Sequence, residues 1–130
     1  MDGLHQSKGI SASGMQAQAE RLRFITENVA NADTPGYQRK VATFEEVLTR
    51  GRETGRVEIG SVNLDRSERA QIFDPAHPLA NSEGYYEGSN VSLVVELGDA
   101  REAQRSYEAN LRMFDQARKM RSSLFELLRR

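Results

Sequence analysis

The sequence has no cysteine, no tryptophan and only three prolines, and aromatic residues occupy 7% of its 130 positions. Without cysteine, the chain forms no disulfide, no thiolate metal site and no thiol nucleophile. It also lacks an apolar run of about 18 residues, the length that a membrane-spanning helix needs. No apolar stretch follows a basic start in the first part of the chain, so we expect no cleaved secretory signal. Export of this protein would therefore use a different route.

The apolar content of the chain is low. Hydrophobic residues make up 38% and charged residues 28%, and the mean hydropathy is -0.66. The length allows one ordinary domain, but that domain has little apolar surface to bury on its own. Such a composition is typical of disordered segments, of coiled coils and of subunits that complete their core against neighbours. Composition alone leaves these three alternatives open.

Charge is distributed unevenly along the chain, although the formal net charge is only -1. Counting Lys and Arg as positive and Asp and Glu as negative gives +1 for residues 1–40, -6 for 41–100 and +4 for 101–130. The basic C-terminal part is interrupted by four acidic residues, Glu102, Glu108, Asp115 and Glu126. Nucleic-acid binding usually requires a continuous basic stripe, so we do not expect nucleic acid as a partner.

Two stretches have the three-and-four spacing of apolar residues that is typical of amphipathic helices. The second runs from about Val91 to Leu128 and would be on the order of 55 Å long, which exceeds what a domain of this size can cover. We expect Ser89 or Asn90 to cap this second helix and Gly98 to be its weak point. The first runs from Ile10 to Ala32, with its apolar stripe on Ala12, Met15, Ala19, Leu22, Thr26 and Val29, widened by Ile25.

The middle of the chain, residues 33–88, contains most of the glycines and all three prolines. This composition excludes a continuous helix. Residues 41–50 fit either a short strand or a short helix. Residues 57–64 alternate between apolar and polar with a break at Gly60 and Ser61, where we predict a hairpin turn. The predicted fold is therefore mainly α, with long N- and C-terminal helices packed as a coiled coil and a short irregular or β-hairpin middle segment.

A strong helix stop lies between Asn28 and Tyr37. Pro35 disfavours the helical conformation at Thr34 and presets its own φ for the second position of a turn. Gly36 supplies the positive φ that the third position of a type II turn requires. We therefore predict a type II turn at residues 34–37 that reverses the direction of the chain. We expect the Tyr37 side chain to anchor the chain after this turn.

The polar residues form no recognisable catalytic or metal-binding motif. His77 and Asp74 share a proline-bounded loop, but two ligands do not make a metal site, and the other histidine, His5, is distant in the sequence. The spacing of Asp74, Asn81 and Glu83 is not that of a calcium loop. The chain has no glycine-rich phosphate loop, nucleophile elbow or HExxH helix. We expect no enzyme activity, no metal, no cofactor and no small-molecule substrate, and we expect this loop to be a rigid packing element.

Both ends of the sequence resemble a known family. Residues 10–15, which lead into the 28–37 stretch, resemble the N-terminal signature of flagellar rod and hook proteins. The short middle segment is unlike the distal rod and hook proteins, which carry larger insertions between similar ends, and residues 41–70 have no match of this kind. Similarity to the proximal rod members of the family is found in residues 74–78, 81–85, 89–91 and 103–110.

The resemblance implies a structural subunit of the periplasmic rod of the flagellar basal body, stacked helically and transmitting torque. Residues 1–32 are then the rod helix with the export signal region, 33–88 the turn and small irregular or β middle segment, and 89–130 the long C-terminal helix. The family motif and turn correspond to Asn28, Asn31, Thr34, Pro35, Gly36 and Tyr37. We expect subunit interfaces at Met15, Leu22, Ile25, Val29, Tyr107, Leu111, Phe114 and Leu124.

The resemblance also implies partners. These are further copies of the chain, the rod proteins FlgB, FlgF and FlgG, the rod-base adaptor FliE, and the flagellar type III export apparatus, which recognises an uncleaved N-terminal signal. A second function class stays open, namely a soluble coiled-coil adaptor or export chaperone that binds one partner. Such a protein forms a small closed oligomer, whereas heterologous contacts between rod subunits build a helical assembly.

Overall fold

A computed structural model describes residues 2–129, so Met1 and Arg130, which end the predicted terminal segments, lie outside the described residues. β1 pairs with β2 and β3 with β4, both antiparallel, in two separate two-stranded sheets. The prediction of two long helices with a small β middle segment is confirmed. The elements in chain order are α1 (Asp2–Ala30), β1 (Lys40–Thr49), β2 (Arg52–Leu64), β3 (Gln71–Phe73), β4 (Tyr85–Glu87) and α2 (Leu93–Arg129).

The two helices run antiparallel and pack against each other. Asn28, near the end of α1, contacts Glu96, near the start of α2. Farther along, Gly14 of α1 lies opposite Asn110 of α2, and a Cβ added to this glycine would be 2.7 Å from the Asn110 amide group. A residue without a side chain therefore lets the two backbones approach closely at this point.

The surface between the helices is built mostly from small and polar side chains. Ile25 is its one large apolar residue among the buried positions of α1. The buried face of α1 begins at Ser11, one position before the predicted apolar stripe. The buried positions are Ser11, Gly14, Ala17, Ile25 and Asn28 on α1, with Glu96, Ala103 and Ala117 on α2.

The turn between β1 and β2 consists of Arg50 and Gly51, whose φ angles are 53° and 75°. Two consecutive residues with positive φ match the strand twist of a two-residue hairpin. The predicted turn at Gly60 and Ser61 is therefore wrong, because β2 runs through these residues as one strand. Of the two alternatives for residues 41–50, the structure has the strand, through Thr49.

The break in alternation at Gly60 has a different cause. Thr43 pairs with Ser61, and the next residue, Phe44, pairs with Ile59, so Gly60 is an extra residue on β2. This arrangement is a β-bulge, which shifts the side chains to the opposite face without reversing the chain. A bulge and a turn therefore both interrupt the alternation of apolar and polar residues, and the sequence pattern does not distinguish them.

The β1–β2 hairpin lies along α1. The Val57 N–H donates a hydrogen bond to the Ser13 hydroxyl at 3.1 Å. A Cβ added to Gly55, whose φ is 76°, would be 2.9 Å from Ile10 Cδ1. These contacts fix the hairpin against the first half of α1, while the hairpin base lies beside the start of α2.

Strands β3 and β4, with the loop between them, form a small unit that we call the β3–β4 unit (residues 71–87). The ring centroids of Phe73 and Tyr85 are 5.1 Å apart. The His77 ring stacks on Tyr86 with a centroid distance of 3.8 Å. Aromatic contacts therefore hold the loop in place, which is the packing role expected for it.

Helix α2 starts directly after Ser92, whose carbonyl accepts a hydrogen bond from the Glu96 N–H at 3.0 Å. The predicted caps, Ser89 and Asn90, are therefore wrong, because both lie before this first helical bond and bind other parts of the chain. Gly98 does not interrupt the helix. Within residues 2–129, no helix is long and apolar enough to cross a lipid bilayer.

Candidate functional site

The end of α1, the start of β1 and the start of α2 meet at a polar cluster that we call the helix junction (Asn28, Tyr37, Arg39, Lys40 and Glu96). Asn28 lies at its centre with 0% exposure. Its Oδ1 accepts hydrogen bonds from the Tyr37 hydroxyl at 2.9 Å and from the Lys40 N–H at 2.8 Å. Its Nδ2 donates to the Lys40 carbonyl at 3.0 Å and to the Glu96 carboxylate at 3.3 Å. One asparagine side chain thus joins three elements.

Arg39 binds three carboxylates from two parts of the chain. Its Nε donates to Glu96 Oε1 at 2.7 Å, and Glu96 is fully buried at 0% exposure. Its Nη1 and Nη2 donate to Asp65 at 3.2 Å and to Asp99 at 3.3 Å. The planar guanidinium, with donors fixed in a fork, suits such a multiple contact. Arg39 therefore connects both ends of the β1–β2 hairpin to α2.

The predicted type II turn leads from α1 into the junction and is confirmed. The Tyr37 N–H donates to the Thr34 carbonyl at 3.2 Å, and Gly36 has a φ of 74°. The Gly36 N–H donates to two carbonyls at the end of β4, both at 3.1 Å. The turn is therefore held by the β3–β4 unit as well as by its own hydrogen bond.

Asn31 lies between the C-terminal end of α1 and this turn and makes hydrogen bonds to both. Its Nδ2 donates to the Glu27 carbonyl at 2.8 Å, and its Oδ1 accepts from the Thr34 hydroxyl at 3.0 Å. The structure thus brings together the six predicted motif residues. Asn28 and Tyr37 lie in the helix junction, and Asn31, Thr34, Pro35 and Gly36 form the segment that leads into it.

Ser89 and Asn90 bind this segment from the side of α2. The Ser89 hydroxyl donates to the Ala32 carbonyl. Asn90 Oδ1 accepts from the Arg39 N–H at 2.7 Å, and Asn90 Nδ2 donates to the Asp65 carbonyl at 2.8 Å. The residues expected to cap α2 therefore fix the turn and the hairpin base.

Two groups at the edge of the junction form an ion pair. Lys40 Nζ lies 2.8 Å from a Glu27 carboxylate oxygen, and this hydrogen bond lowers the pKa of Glu27 and raises the pKa of Lys40. Burial raises the pKa of the Tyr37 hydroxyl. Tyr37 therefore keeps its proton at neutral pH and remains a donor to Asn28.

The surroundings of Arg39 favour its charged form. Burial acts to lower the pKa of Arg39, but its hydrogen bonds to Glu96 and Asp65 outweigh burial, and the pKa is raised. The N–H and hydroxyl of Ser67, followed by Arg39, lower the pKa of Asp65.

Within residues 2–129, no group of three or more His, Cys, Asp or Glu side chains is placed to hold a metal ion. The hydrogen bonds and ion pairs of the junction join α1, the base of the hairpin and α2.

The interface residues predicted on α1 differ in burial. Ile25 is buried and belongs to the core of the single chain. Met15 and Leu22 are half-buried, and Val29 is exposed. The single chain therefore leaves part of this set available to other subunits.

The interface residues predicted on α2 are less covered. Phe114 is half-buried beneath Lys8, whose Nζ lies 5.5 Å from the ring centroid. Tyr107, Leu111 and Leu124 are exposed. A role of these residues in contacts between subunits stays a prediction.

Sequence reasoning missed the contribution of Arg39 and Glu96 to the site. One signal was present, because Glu96 is the only charged residue in the apolar run of residues 93–97. A carboxylate in such a run is costly to bury without a partner. The partner, however, lies 57 positions away in the sequence, so no local pattern identifies it.

The two ends of the chain match family models of flagellar proteins. Residues 10–38 match the model described as flagella basal body rod protein, and residues 82–127 match that of the flagellar basal body rod FlgEFG protein C-terminal region. The chain is 38% identical over 136 aligned residues to the flagellar basal-body rod protein FlgC of Agrobacterium fabrum, with 99% of this chain and 98% of the relative covered. The chain belongs to the FlgC family of flagellar rod proteins.

Relatives in other bacteria agree with this assignment. The chain is 32% identical to FlgC of Salmonella typhimurium over 117 residues, covering 85% of this chain and 87% of the relative. It is 32% identical to FlgC of Yersinia enterocolitica over 112 residues, covering 82% and 84%. The FlgC family is structural, so the chain is a structural rod subunit of the flagellar basal body and not an enzyme.

The helix junction lies where the two family segments meet. Asn28 and the type II turn belong to the N-terminal segment, and Glu96 belongs to the C-terminal segment. Arg39 follows the N-terminal segment directly. The two parts of the chain that carry the family pattern are thus joined by hydrogen bonds through the junction.

Proposed function

We propose that this chain is a subunit of the proximal rod, that it polymerises through its terminal helices, and that the assembled rod transmits torque across the periplasm. The observation that carries the proposal is the distribution of apolar side chains on the helices. The surface between α1 and α2 is small and polar, whereas large apolar residues of α2 lie outside it. These residues gain burial only through contacts with other chains.

The spacing of the buried residues supports coiled-coil packing of the terminal helices. Glu96, Ala103 and Ala117 of α2 are separated by multiples of seven positions. On α1, Ser11 and Ile25 are likewise separated by a multiple of seven. A seven-residue repeat is the signature of helices that supercoil around each other. We assign the subunit interfaces to the side chains beside this seam, at Met15, Leu22, Val29, Tyr107, Leu111, Phe114 and Leu124, whereas Ile25 lies within the seam of the single chain.

The helix junction has a mechanical role in this proposal. A subunit that carries torque must keep a fixed angle between its helices and its β1–β2 hairpin. Arg39 ties the base of the hairpin to Glu96 and Asp99 of α2, and Asn28 ties it to α1. Load applied to the hairpin would therefore pass directly to both helices.

The proposal extends to location and partners. Residues 1–32 would act as rod helix and export signal region, 33–88 as the turn and β middle segment, and 89–130 as the second rod helix. The chain would reach the periplasmic rod through the flagellar type III export apparatus. There it would contact further copies of itself, the rod proteins FlgB, FlgF and FlgG, and the rod-base adaptor FliE.

The test is to delete the gene in its own host and to restore it with an epitope-tagged copy. We expect the deletion strain to lack rods and hooks, and the tagged chain to be found in purified basal bodies at the proximal level of the rod by electron microscopy. A control strain expresses the tagged chain without residues 93–129. Normal rods in the deletion strain, or a small closed oligomer that is absent from basal bodies, would instead favour the adaptor or chaperone function.

A further inference from the structure

The β3–β4 unit carries an exposed apolar patch with an acidic border. Phe73 and Leu79 are 62% and 64% exposed. Residues 71–87 contain no Lys or Arg, and their formal charge is -3. The acidic side chains are Asp74, Glu83 and Glu87, of which Glu87 pairs with Arg69 at the edge of the unit. A surface of this kind fits a partner that is apolar and basic.

The C-terminal part of α2, residues 112–129, has the complementary composition. Its five basic and two acidic residues give a formal charge of +3. Most of its large apolar side chains are exposed and recur at three-, four- and seven-residue steps, whereas Ala117 is buried and Phe114 is half-buried. A helix face with this spacing can lie along an apolar surface. The exposed apolar residues are Met113, Met120, Leu124, Phe125, Leu127 and Leu128.

These two surfaces lie at opposite ends of one chain. The β3–β4 unit is bound to the turn after α1 and precedes α2 directly. Residue 112 is 19 positions beyond the start of α2, which corresponds to about 28 Å along the helix. The continuous helix between them keeps the two surfaces apart, so they cannot meet within one chain.

We propose that residues 112–129 of one copy dock on the β3–β4 unit of a second copy. The proposal rests on the proposed function and adds the pair of surfaces that contact each other along the assembly. Opposite charges steer the two surfaces together, and their exposed apolar side chains are buried on contact. Because the two surfaces differ and lie at opposite ends, the contact is heterologous, and its repetition adds further copies to a ring or to an open helical assembly, depending on the rotation between neighbours.

Chemical cross-linking tests the contact, because the chain has only three lysines, Lys8, Lys40 and Lys119. Purified basal bodies are treated with a carbodiimide, which joins an amine directly to a carboxylate, and the products are identified by mass spectrometry. We expect Lys119 to be linked to Asp74, Glu83 or Glu87 of another copy. The Lys119→Arg variant keeps the charge but should lose this product. Links from Lys119 only to other carboxylates, or to other rod proteins, would overturn the proposal.

Charge reversal tests whether the partner is the same chain. Lys119→Glu with Arg121→Glu should abolish swarming, and adding Asp74→Arg with Glu83→Arg in the same chain should restore it. The control pair Arg101→Glu and Arg105→Glu lies on the same helix outside residues 112–129 and should leave swarming unchanged. If the four-fold variant stays non-motile, the second-copy contact is wrong. The presence of the wild-type chain in basal bodies is scored separately, so this failure is distinct from failure of the proposed rod function.

Discussion

Arg39 Nε donates to Glu96 Oε1 at 2.7 Å, and the receiving carboxylate is fully buried. Removing two charges from water costs several kcal/mol for each ion, so such a pair is sustained only when further hydrogen bonds complete it. The Asn28 amide supplies a further donor to Glu96. The pair therefore fixes one arrangement of hairpin and helices, and it adds little net stability by itself.

Replacement of Arg39 by alanine should leave the buried Glu96 carboxylate without its cation. We expect this change to lower the free energy of unfolding by about 3–5 kcal/mol, measured by urea denaturation followed by circular dichroism. Arg66→Ala, on an exposed residue after β2, is the matched control. The double replacement Arg39→Met with Glu96→Leu should recover most of the loss, because an apolar pair needs no charge compensation. Equal losses for Arg39→Ala and Arg66→Ala would contradict this account.

The type II turn requires a positive φ at Gly36, which is 74°. A Cβ at this position would meet no other atom within 4 Å, so a substitution is opposed by backbone conformation alone. We expect Gly36→Val to cost at least about 1–2 kcal/mol and to abolish rod assembly, since branched residues resist positive φ. Gly36→Asn, which tolerates this region better, should retain partial assembly. Normal motility of the valine variant would show that the turn does not need this geometry.

Gly14 and Gly98 provide a matched test of helix packing. Alanine in place of glycine within a helix stabilises it by about 1 kcal/mol. At Gly98 a Cβ has open space, so Gly98→Ala should raise the free energy of unfolding by this amount. At Gly14 the Cβ would displace Asn110, which is held by a hydrogen bond to the Ser106 carbonyl at 2.9 Å. Gly14→Ala should therefore not raise the free energy of unfolding. Adding Asn110→Ala removes the clash and should recover part of the increase expected for alanine. Equal gains for the two single variants would contradict the close approach of the helices.

The predictable parts of the fold are those whose causes are local. Pro35 and Gly36 fix backbone angles by their own covalent structure, and the type II turn follows directly. The turn between β1 and β2 does not follow from the local sequence, because Arg50 has no intrinsic preference for positive φ. Arg50 adopts this conformation only through the pairing of β1 with β2. The bulge at Gly60 interrupts the alternation of apolar and polar residues in the same way as a turn would.

The helix junction could be predicted only in part for the same reason. The motif predicted Asn28 and Tyr37 as functional residues, and the structure joins them by a hydrogen bond. The partners Arg39 and Glu96 are brought together by antiparallel packing of the helices, which no local pattern encodes. The buried face of α1 also begins one position before the predicted stripe, and Gly14 on this face allows the close approach to Asn110 that an apolar pattern does not reveal.

The lowered pKa of Asp65 makes stability depend on pH in the acid range. The N–H and hydroxyl of Ser67 and then the Arg39 guanidinium favour its ionised form. A lowered folded-state pKa contributes stability above the unfolded value, about pH 4, and this contribution is lost as the pH falls through the folded value. We expect the free energy of unfolding of the wild type to fall more steeply below about pH 4 than that of Asp65→Asn.

Leu111 and Phe114 test whether α2 is covered by other subunits. Leu111 is exposed in the single chain, and Phe114 is covered there only in part, beneath Lys8. We therefore expect Leu111→Ala with Phe114→Ala to change the stability of the isolated chain much less than the stability of the assembled rod. Truncation of a large side chain in a packed core costs about 2–5 kcal/mol, and a repeating interface loses this amount at every copy.

The measurement separates export from assembly. The double variant is expressed in the deletion strain, secretion of the chain is followed by immunoblotting, and rods and hooks are counted by electron microscopy. We expect secretion at the wild-type level and a loss of rods and hooks. The control variant Arg105→Ala with Glu108→Ala changes exposed polar positions of the same helix. Cells that express it should form both rods and hooks. Normal, mechanically intact rods with the double variant would exclude these two residues from the core of the interface, because an interface built on them could not assemble after the loss of both side chains.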